Sequence, residues 1–210
     1  MTLDEWGELD DDVEGELVDV VLEEEEIPSF RHELVVVWLA ASLRAWARPR
    51  GGFVGGSELK LAVGLRRGRK PDLAVFVRGA TPPPDATVIR IPPHLVVEVA
   101  SPRPRDVRRD RIDKLADYAR AGVRVYCIVD PQLRSAEVFE LGGDGRYAVA
   151  HTAAAGRLRV ARCPGLRLDL DALWGEIDEA ERAHRRTVRA PRVATRRAAS
   201  RARPGRRPHR

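Results

Sequence analysis

The chain has 210 residues, of which 43% are apolar and 33% are charged. That length suits one domain with a sizeable core, and the composition is typical of a soluble globular protein. The sequence contains no run of 18 or more apolar residues, so we expect no membrane span. The first twelve residues are acidic and lack the basic-then-apolar order of a signal peptide, which favours a cytoplasmic location.

Charge is distributed unevenly along the chain. Residues 182–210 contain twelve of the 37 basic residues and no Asp or Glu, so the rest of the chain carries a net charge of −7. Three prolines and the lack of apolar periodicity predict a domain over residues 1–180 and a disordered tail over 181–210. The tail is either a solvated extension without a partner or a clamp on nucleic acid phosphates. The arginines assigned to that contact are Arg185, Arg186, Arg189, Arg196 and Arg197.

Apolar spacing and turn residues predict the elements of the first half. Ser29 is a suitable N-cap for a helix that carries apolar residues from Leu34 to Trp46. Residues 79–93 are rich in proline and predict a loop. The other elements expected here are a strand over 15–22, a strand over 53–63, a basic turn over 65–70, and strands over 73–77 and 95–100.

The second half begins with a helix over 105–121, which ends at Gly122. We expect its buried face to consist of Ile112, Leu115, Ala116 and Ala119. Because this helix connects two apolar strands, those strands can lie parallel, with antiparallel neighbours on either side. The remaining elements are a strand over 123–129, a hairpin over 135–141 and 147–152, a strand over 157–161 and a helix over 169–184.

Two carboxylates occupy unusual positions in this pattern. Glu98 interrupts the most apolar predicted strand, and a buried carboxylate must be paired, protonated or bound to a cation. Asp72 opens the neighbouring strand directly after Pro71. Acidic residues on adjacent central strands can bring their oxygens to one point, as a hard divalent cation requires. The alternative is that Glu98 pairs with a buried Arg or with backbone amides.

Lys114 is one of only three lysines in a chain with 34 arginines. It lies on the connecting helix, one turn after Asp110. One interpretation is a surface ion pair with Asp110, which contributes at most a few tenths of a kcal/mol. The other is a cation beside a metal site, where it would stabilise charge on an attacked phosphate or position the attacking water.

Several short segments share their residue types and order with a known family. They are Glu16-Leu17-Val18-Asp19, Ser29 with His32, Pro71-Asp72-Leu73, Leu95 to Pro102, Asp110 with Lys114 and Tyr118, and Gly122 to Pro131. Together with the order helix, three strands, helix, strand, they resemble the Uma-two family of endonucleases, which is built on the restriction-endonuclease-like, PD-(D/E)XK core. The resemblance covers roughly residues 10 to 175 and excludes the tail.

The resemblance implies an α/β fold, a mixed sheet flanked by helices with a C-terminal hairpin added, and a nuclease site that binds a divalent metal. Asp72, Glu98 and the carbonyl of Val99 would be metal ligands, Lys114 the catalytic cation and Glu16 an auxiliary acid. The superfamily usually places its lysine two residues after Glu98, where this chain has Ala100. A second departure is Val20, where relatives usually have glycine.

Three residues are weaker candidates. His32 near a helix N-terminus would be close to the site, although a single histidine is more often structural. Glu58 and Lys60 would border it, although an exposed polar strand edge explains them equally well.

We therefore expect a Mg²⁺- or Mn²⁺-dependent endonuclease that acts on DNA and has no membrane partner; a homodimer is left open. The main alternative is a non-catalytic nucleic-acid-binding protein on the same fold. A protein whose acidic surface binds a basic partner is the third hypothesis.

Overall fold

The structure is a computed structural model that describes residues 1–10, 13, 15–23, 27–103 and 108–189. Its helices are α1 (Leu3–Gly7), α2 (Phe30–Ala47), α3 (Lys114–Ala121) and α4 (Leu170–Arg189), with a 3₁₀ turn at Arg48–Arg50 and a π-helical turn at Arg109–Asp113 that leads into α3. Its strands are β1 (Glu16–Val18), β2 (Val21–Glu23), β3 (Phe53–Gly55), β4 (Leu61–Gly64), β5 (Arg67–Arg69), β6 (Leu73–Phe76), β7 (Leu95–Val99), β8 (Val125–Asp130), β9 (Ser135–Leu141), β10 (Tyr147–Ala153), β11 (Arg157–Arg159) and β12 (Arg167–Asp169).

A six-stranded mixed sheet has the order β10-β9-β8-β7-β6-β3. Strands β7 and β8 are parallel because the connection through α3 crosses from one end of the sheet to the other. Their neighbours β6 and β9 are antiparallel to them, and β9 and β10 form the hairpin at the edge. The predicted α/β fold with a mixed sheet is therefore confirmed.

A second sheet, with the order β2-β1-β5-β4, was not predicted. The strand expected over 15–22 is instead the hairpin β1–β2, which turns at Asp19 and Val20. The strand expected over 53–63 is two strands, β3 and β4, in different sheets. The basic turn expected over 65–70 contains β5. These predictions were wrong because β5 consists of Arg67, Gly68 and Arg69 and so carries no apolar alternation.

Each face of the large sheet has its own core. On one face, alternate residues of β6, β7 and β8 pack against α2, and α4 joins the same cluster. On the other face, the intervening residues pack against Tyr118 of α3 and against β4. Helix α3 thus lies between the two sheets.

The position of α3 corrects the predicted orientation of the connecting helix. Ile112 is 58% exposed and Ala116 is exposed, although both were expected on the buried face. The helix buries its polar side instead, because the second sheet covers that side and supplies charged partners for it. The buried residues of this stretch are Asp110, Lys114, Asp117 and Tyr118.

The last helix, predicted to end at His184, continues to Arg189. The first residues of the segment assigned to a disordered tail, 181–189, are therefore helical. The rest of that segment, including Arg196 and Arg197, lies outside the described residues. None of the helices in the described ranges is long and apolar enough to cross a membrane.

The turn between β1 and β2 yields a test of backbone strain. Val20 has a φ of 69°, a left-handed conformation that costs a β-branched residue about 1–3 kcal/mol. Val20→Gly removes that cost. Glycine also increases the conformational entropy of the unfolded chain, but this offsets only part of the gain in stability. We expect the free energy of unfolding of the variant to be about 1 kcal/mol larger, which corresponds to a rise in Tm of roughly 2–4 °C.

Val21→Gly is the matched control, since Val21 is an exposed residue of the adjacent strand. Glycine there should destabilise by about 0.5–1 kcal/mol. Thermal unfolding of both variants checks this prediction. A decrease in the Tm of Val20→Gly similar to that of Val21→Gly would contradict backbone strain at Val20.

Candidate functional site

A cavity of about 620 Å³ opens where β6 begins and β7 ends, beside the N-terminus of α2 and the π-helical turn. Its charged lining includes residues from each of these elements. Residues on its wall include Arg31, His32, Glu58, Lys70, Asp72, Glu98, Val99, Asp110 and Lys114.

Glu98 is held at the base of this cavity by two donors from α3. Its Oε2 accepts a hydrogen bond from Lys114 Nζ at 2.9 Å, and its Oε1 accepts one from the Tyr118 hydroxyl at 2.6 Å. All three side chains are buried. The one-turn spacing between Lys114 and Tyr118 lets a single helix face present both donors to one carboxylate.

Asp72 meets Glu98 because of the strand register. Leu73 pairs with Val97, so the next residues outward, Asp72 and Glu98, face each other on the same side of the sheet. Asp72 Oδ2 accepts a hydrogen bond from the backbone N–H of Val99 at 2.7 Å. In an extended strand the N–H and C=O of one residue point the same way, so the Val99 carbonyl also faces Asp72.

His32 approaches Asp72 from the first turn of α2. Ser29 caps this helix by accepting a hydrogen bond from the His32 backbone N–H, as predicted. The His32 Nε2 lies 3.3 Å from Asp72 Oδ2. Burial lowers the pKa of His32, but Asp72 and Glu33 outweigh burial and raise that pKa to about 9, so the ring is charged at neutral pH.

Glu16 lies behind Lys114 and is not among the residues that line the cavity. Its carboxylate is 3.3 Å from Lys114 Nζ and accepts hydrogen bonds from Arg69 and from the backbone N–H of Lys70. Arg69 also pairs with Asp117. Burial raises the pKa of Glu16, but Lys114 and Arg69 lower it more, so the carboxylate stays ionised and fixes the lysine from behind.

Two buried carboxyl groups of the cavity, those of Glu98 and Asp110, have raised pKa values. Burial and then the charges of Asp72, Asp110 and Glu16 raise the pKa of Glu98 to about 8, against the opposing effect of Lys114. Burial also raises the pKa of Asp110. Lys114 stays charged, because its carboxylate partners raise its pKa more than burial lowers it. An additional positive charge would therefore favour ionisation of both acids.

These groups fit a magnesium-type cation. Within the described ranges, no group of three or more His, Cys, Asp or Glu residues is arranged to hold a metal ion. Mg²⁺, however, usually binds one or two carboxylates and completes its shell with water and substrate phosphate. Asp72 and Glu98 both line the cavity, and their carboxylates could supply two hard oxygen ligands. Asp110 Oδ1 is buried and has no hydrogen-bond partner among the described residues, although Arg109 Nε and Lys114 Nζ lie 3.6 Å and 3.8 Å from it.

The structure brings most of the expected site residues together. Asp72, Glu98, Val99 and Lys114 all line the cavity, and Lys114 is 3% exposed rather than part of a surface ion pair. Lys60 instead donates a hydrogen bond to the Trp6 carbonyl. Sequence reasoning missed Lys70, although the scarcity of lysine in this chain was a signal that could have identified it.

Comparisons with known proteins identify the family and a similar fold. The model of the Uma2 family, described as "Putative restriction endonuclease", matches residues 3–171. No curated protein matches the chain. Among solved structures, the chain is similar to a crystal structure of a "putative nuclease belonging to DUF820" from Anabaena variabilis, with a TM-score of 0.67 and 19% identity over 83% of this chain and 98% of that chain. At that identity the similarity concerns the fold.

The raised pKa of Glu98 predicts a pH dependence of stability in the metal-free protein. Between about pH 5 and pH 8 an unfolded glutamate is ionised, whereas folded Glu98 retains its proton, so the folded state loses stability as pH rises. Glu98→Gln removes this loss. In EDTA, the free energy of unfolding of the variant minus that of wild type should increase by at least about 2 kcal/mol from pH 5 to pH 8. Urea unfolding measures both free energies.

Glu16→Gln is the control with the opposite shift. The lowered pKa of Glu16 contributes stability that is fully present above the usual glutamate pKa. Glu16→Gln should therefore be less stable than wild type by a similar amount at pH 5 and at pH 8. A stability gap between Glu98→Gln and wild type that stays constant with pH would contradict the raised pKa.

Proposed function

Because the chain belongs to the Uma2 family of restriction-endonuclease-like proteins, we propose that it is a divalent-metal-dependent endonuclease that hydrolyses phosphodiester bonds in DNA. The observation that carries the proposal is the buried contact of Lys114 with Glu98, next to Asp72, on the wall of an accessible cavity. An ammonium and two carboxylates in this arrangement match the chemistry that phosphodiester hydrolysis requires.

The metal would be Mg²⁺ or Mn²⁺, held by the carboxylates of Asp72 and Glu98 and by the carbonyl of Val99. When bound, it supplies a Lewis acid that favours attack of water on the phosphorus. His32 orients Asp72 through their 3.3 Å contact, and the backbone N–H of Val99 fixes the same carboxylate oxygen. These contacts hold the Asp72 carboxylate in place before substrate binds.

Lys114 would stabilise the negative charge that develops on the attacked phosphate. Its Nζ is placed by Glu98 from one side and by Glu16 from behind. Glu16 thereby acts as a positioning residue. Tyr118 holds the other oxygen of Glu98 and restricts its rotation. The ammonium thus occupies one position, because each carboxylate partner is itself fixed.

The last two turns of α4 offer a surface for the DNA backbone. Arg31 lines the cavity and also forms an ion pair with Glu181 of α4, with an N–O distance of 2.7 Å. A neighbouring groove of about 330 Å³ is lined by Arg31, Glu181 and Arg185. Arg185 lines this groove and the adjacent Arg186 is exposed on the same helix, so the pair could contact phosphates that flank the cleaved bond.

The central test separates metal binding from chemistry. Mg²⁺ should raise the Tm of the wild type, since a ligand that binds only the folded state stabilises it. Asp72→Asn should lose both the Tm rise and the cleavage of plasmid and single-stranded DNA. Lys114→Arg should keep most of the Tm rise and cleave at least ~10-fold more slowly, because a planar fork cannot replace a compact ammonium in a packed site.

Asp178→Asn is the matched control, since it removes one carboxylate from an exposed ion pair with Arg134 outside the cavity. It should retain both the Tm rise and cleavage. Metal-independent cleavage, or equal Mg²⁺ stabilisation of Asp72→Asn and wild type, would refute the metal site. DNA binding by the wild type without any cleavage would favour the non-catalytic alternative.

A further test concerns the helical arginines. The double substitution of Arg185 and Arg186 by Gln should reduce the slope of log K against log salt for duplex DNA by about 2, roughly one unit for each lost phosphate contact. The double substitution of Arg157 and Arg167 by Gln, on the β11–β12 hairpin, is the charge-matched control. Equal slopes for the two double variants would exclude α4 from the DNA-binding surface. Deletion of residues 190–210 tests the remaining tail separately.

A further inference from the structure

Lys70 is a second lysine on the wall of the cavity. It directly follows β5 and precedes Pro71 and Asp72, and its backbone N–H is fixed by Glu16 Oε1 at 3.0 Å. Its side chain is buried and lines the cavity together with Asp72 and Lys114. The backbone is therefore anchored to the catalytic network while the ammonium reaches the space that a substrate would enter.

The ammonium of Lys70 pairs with a carboxylate at the rim. Its Nζ lies 2.8 Å from Glu58 Oε2, and the Glu58 side chain is 86% exposed. Glu58 lies in the turn between β3 and β4 and also lines the cavity. Because the Glu58 carboxylate is solvated, it can return to water when another anion takes its place beside the buried ammonium of Lys70.

We infer that Lys70 binds a non-bridging oxygen of the DNA phosphodiester and that Glu58 occupies the position of that phosphate when DNA is absent. The inference rests on the proposed function. A phosphodiester carries one negative charge, as Glu58 does, so the exchange keeps the charge of the site constant. Lys70 and Lys114 line the same cavity, so both ammonium groups would then face the substrate.

The residue type supports this role. The chain uses Arg at 34 of its 37 basic positions, and two of its three lysines line this cavity. A permanent ion pair with an exposed carboxylate would be served equally well by Arg. A cation that exchanges one anion for another needs a compact charge on a flexible stem, which lysine provides.

The experiment measures binding of the full chain to a short fluorescein-labelled DNA duplex in EDTA by fluorescence anisotropy. Without divalent metal there is no cleavage, so binding is read alone. Lys70→Gln should weaken binding by ~5-fold or more, because the phosphate loses its cation. Glu58→Gln should strengthen binding by ~3-fold or more, because the competing carboxylate is gone. The two variants therefore move affinity in opposite directions.

Two surface variants serve as controls for the change in net charge. Arg66→Gln removes one positive charge and Glu8→Gln one negative charge, and both residues are exposed and do not line the cavity. Each should change affinity by less than ~2-fold. In addition, Glu58→Gln should lose most of its effect in the Lys70→Gln background, because Glu58 acts through Lys70 and not by repelling DNA directly.

The outcomes distinguish this inference from the proposed function. If all variants bind like their charge controls while wild type still binds and cleaves DNA, Lys70 forms a structural ion pair and the inference is overturned. If wild type neither binds nor cleaves DNA, the proposed function fails and this inference fails with it. Should Lys70→Gln not fold, Glu58→Gln decides alone, since an 86% exposed carboxylate can be replaced without disturbing the core.

Discussion

The ammonium of Lys114, buried among Glu16, Glu98 and Asp110, is the interaction on which the rest of the structure depends. A charge in this position would cost several kcal/mol if its partners were missing. Those partners come from β1, from β7 and from the turn before α3, so the two sheets and the helix must meet at one point. Arg69 extends the same network to Asp117 and joins the second sheet to α3.

The buried carboxylates of this network differ in how fully their neighbours stabilise the charged form. Glu16 is satisfied by Arg69 and by the Lys70 backbone, whereas Glu98 and Asp110 have raised pKa values because burial and mutual repulsion disfavour their charged forms. A divalent cation would relieve that repulsion. Buried acids with raised pKa values are common at functional sites, which supports the proposed metal site.

Arginine and lysine occupy different positions around the site. Arg69, with its planar fork, bridges Glu16 and Asp117. Lys70 and Lys114 line the cavity, where arginines also occur. Under the proposed function, the two lysines would contact the reacting phosphate, and Arg185 at the neighbouring groove would contact the flanking DNA backbone.

The sequence by itself determined the large sheet, the parallel pair β7–β8 and the meeting of Asp72 with Glu98 on adjacent strands, because apolar runs and the order of the elements can be read from the sequence. It did not determine the second sheet, since β5 is two arginines around a glycine and carries no periodic signal. Without that sheet, the sequence pattern places the polar side of α3 in solvent, and a surface position for Lys114 remains one interpretation. Only the tertiary structure decided its burial, because the carboxylates that make burial of Lys114 favourable come from strands distant in sequence.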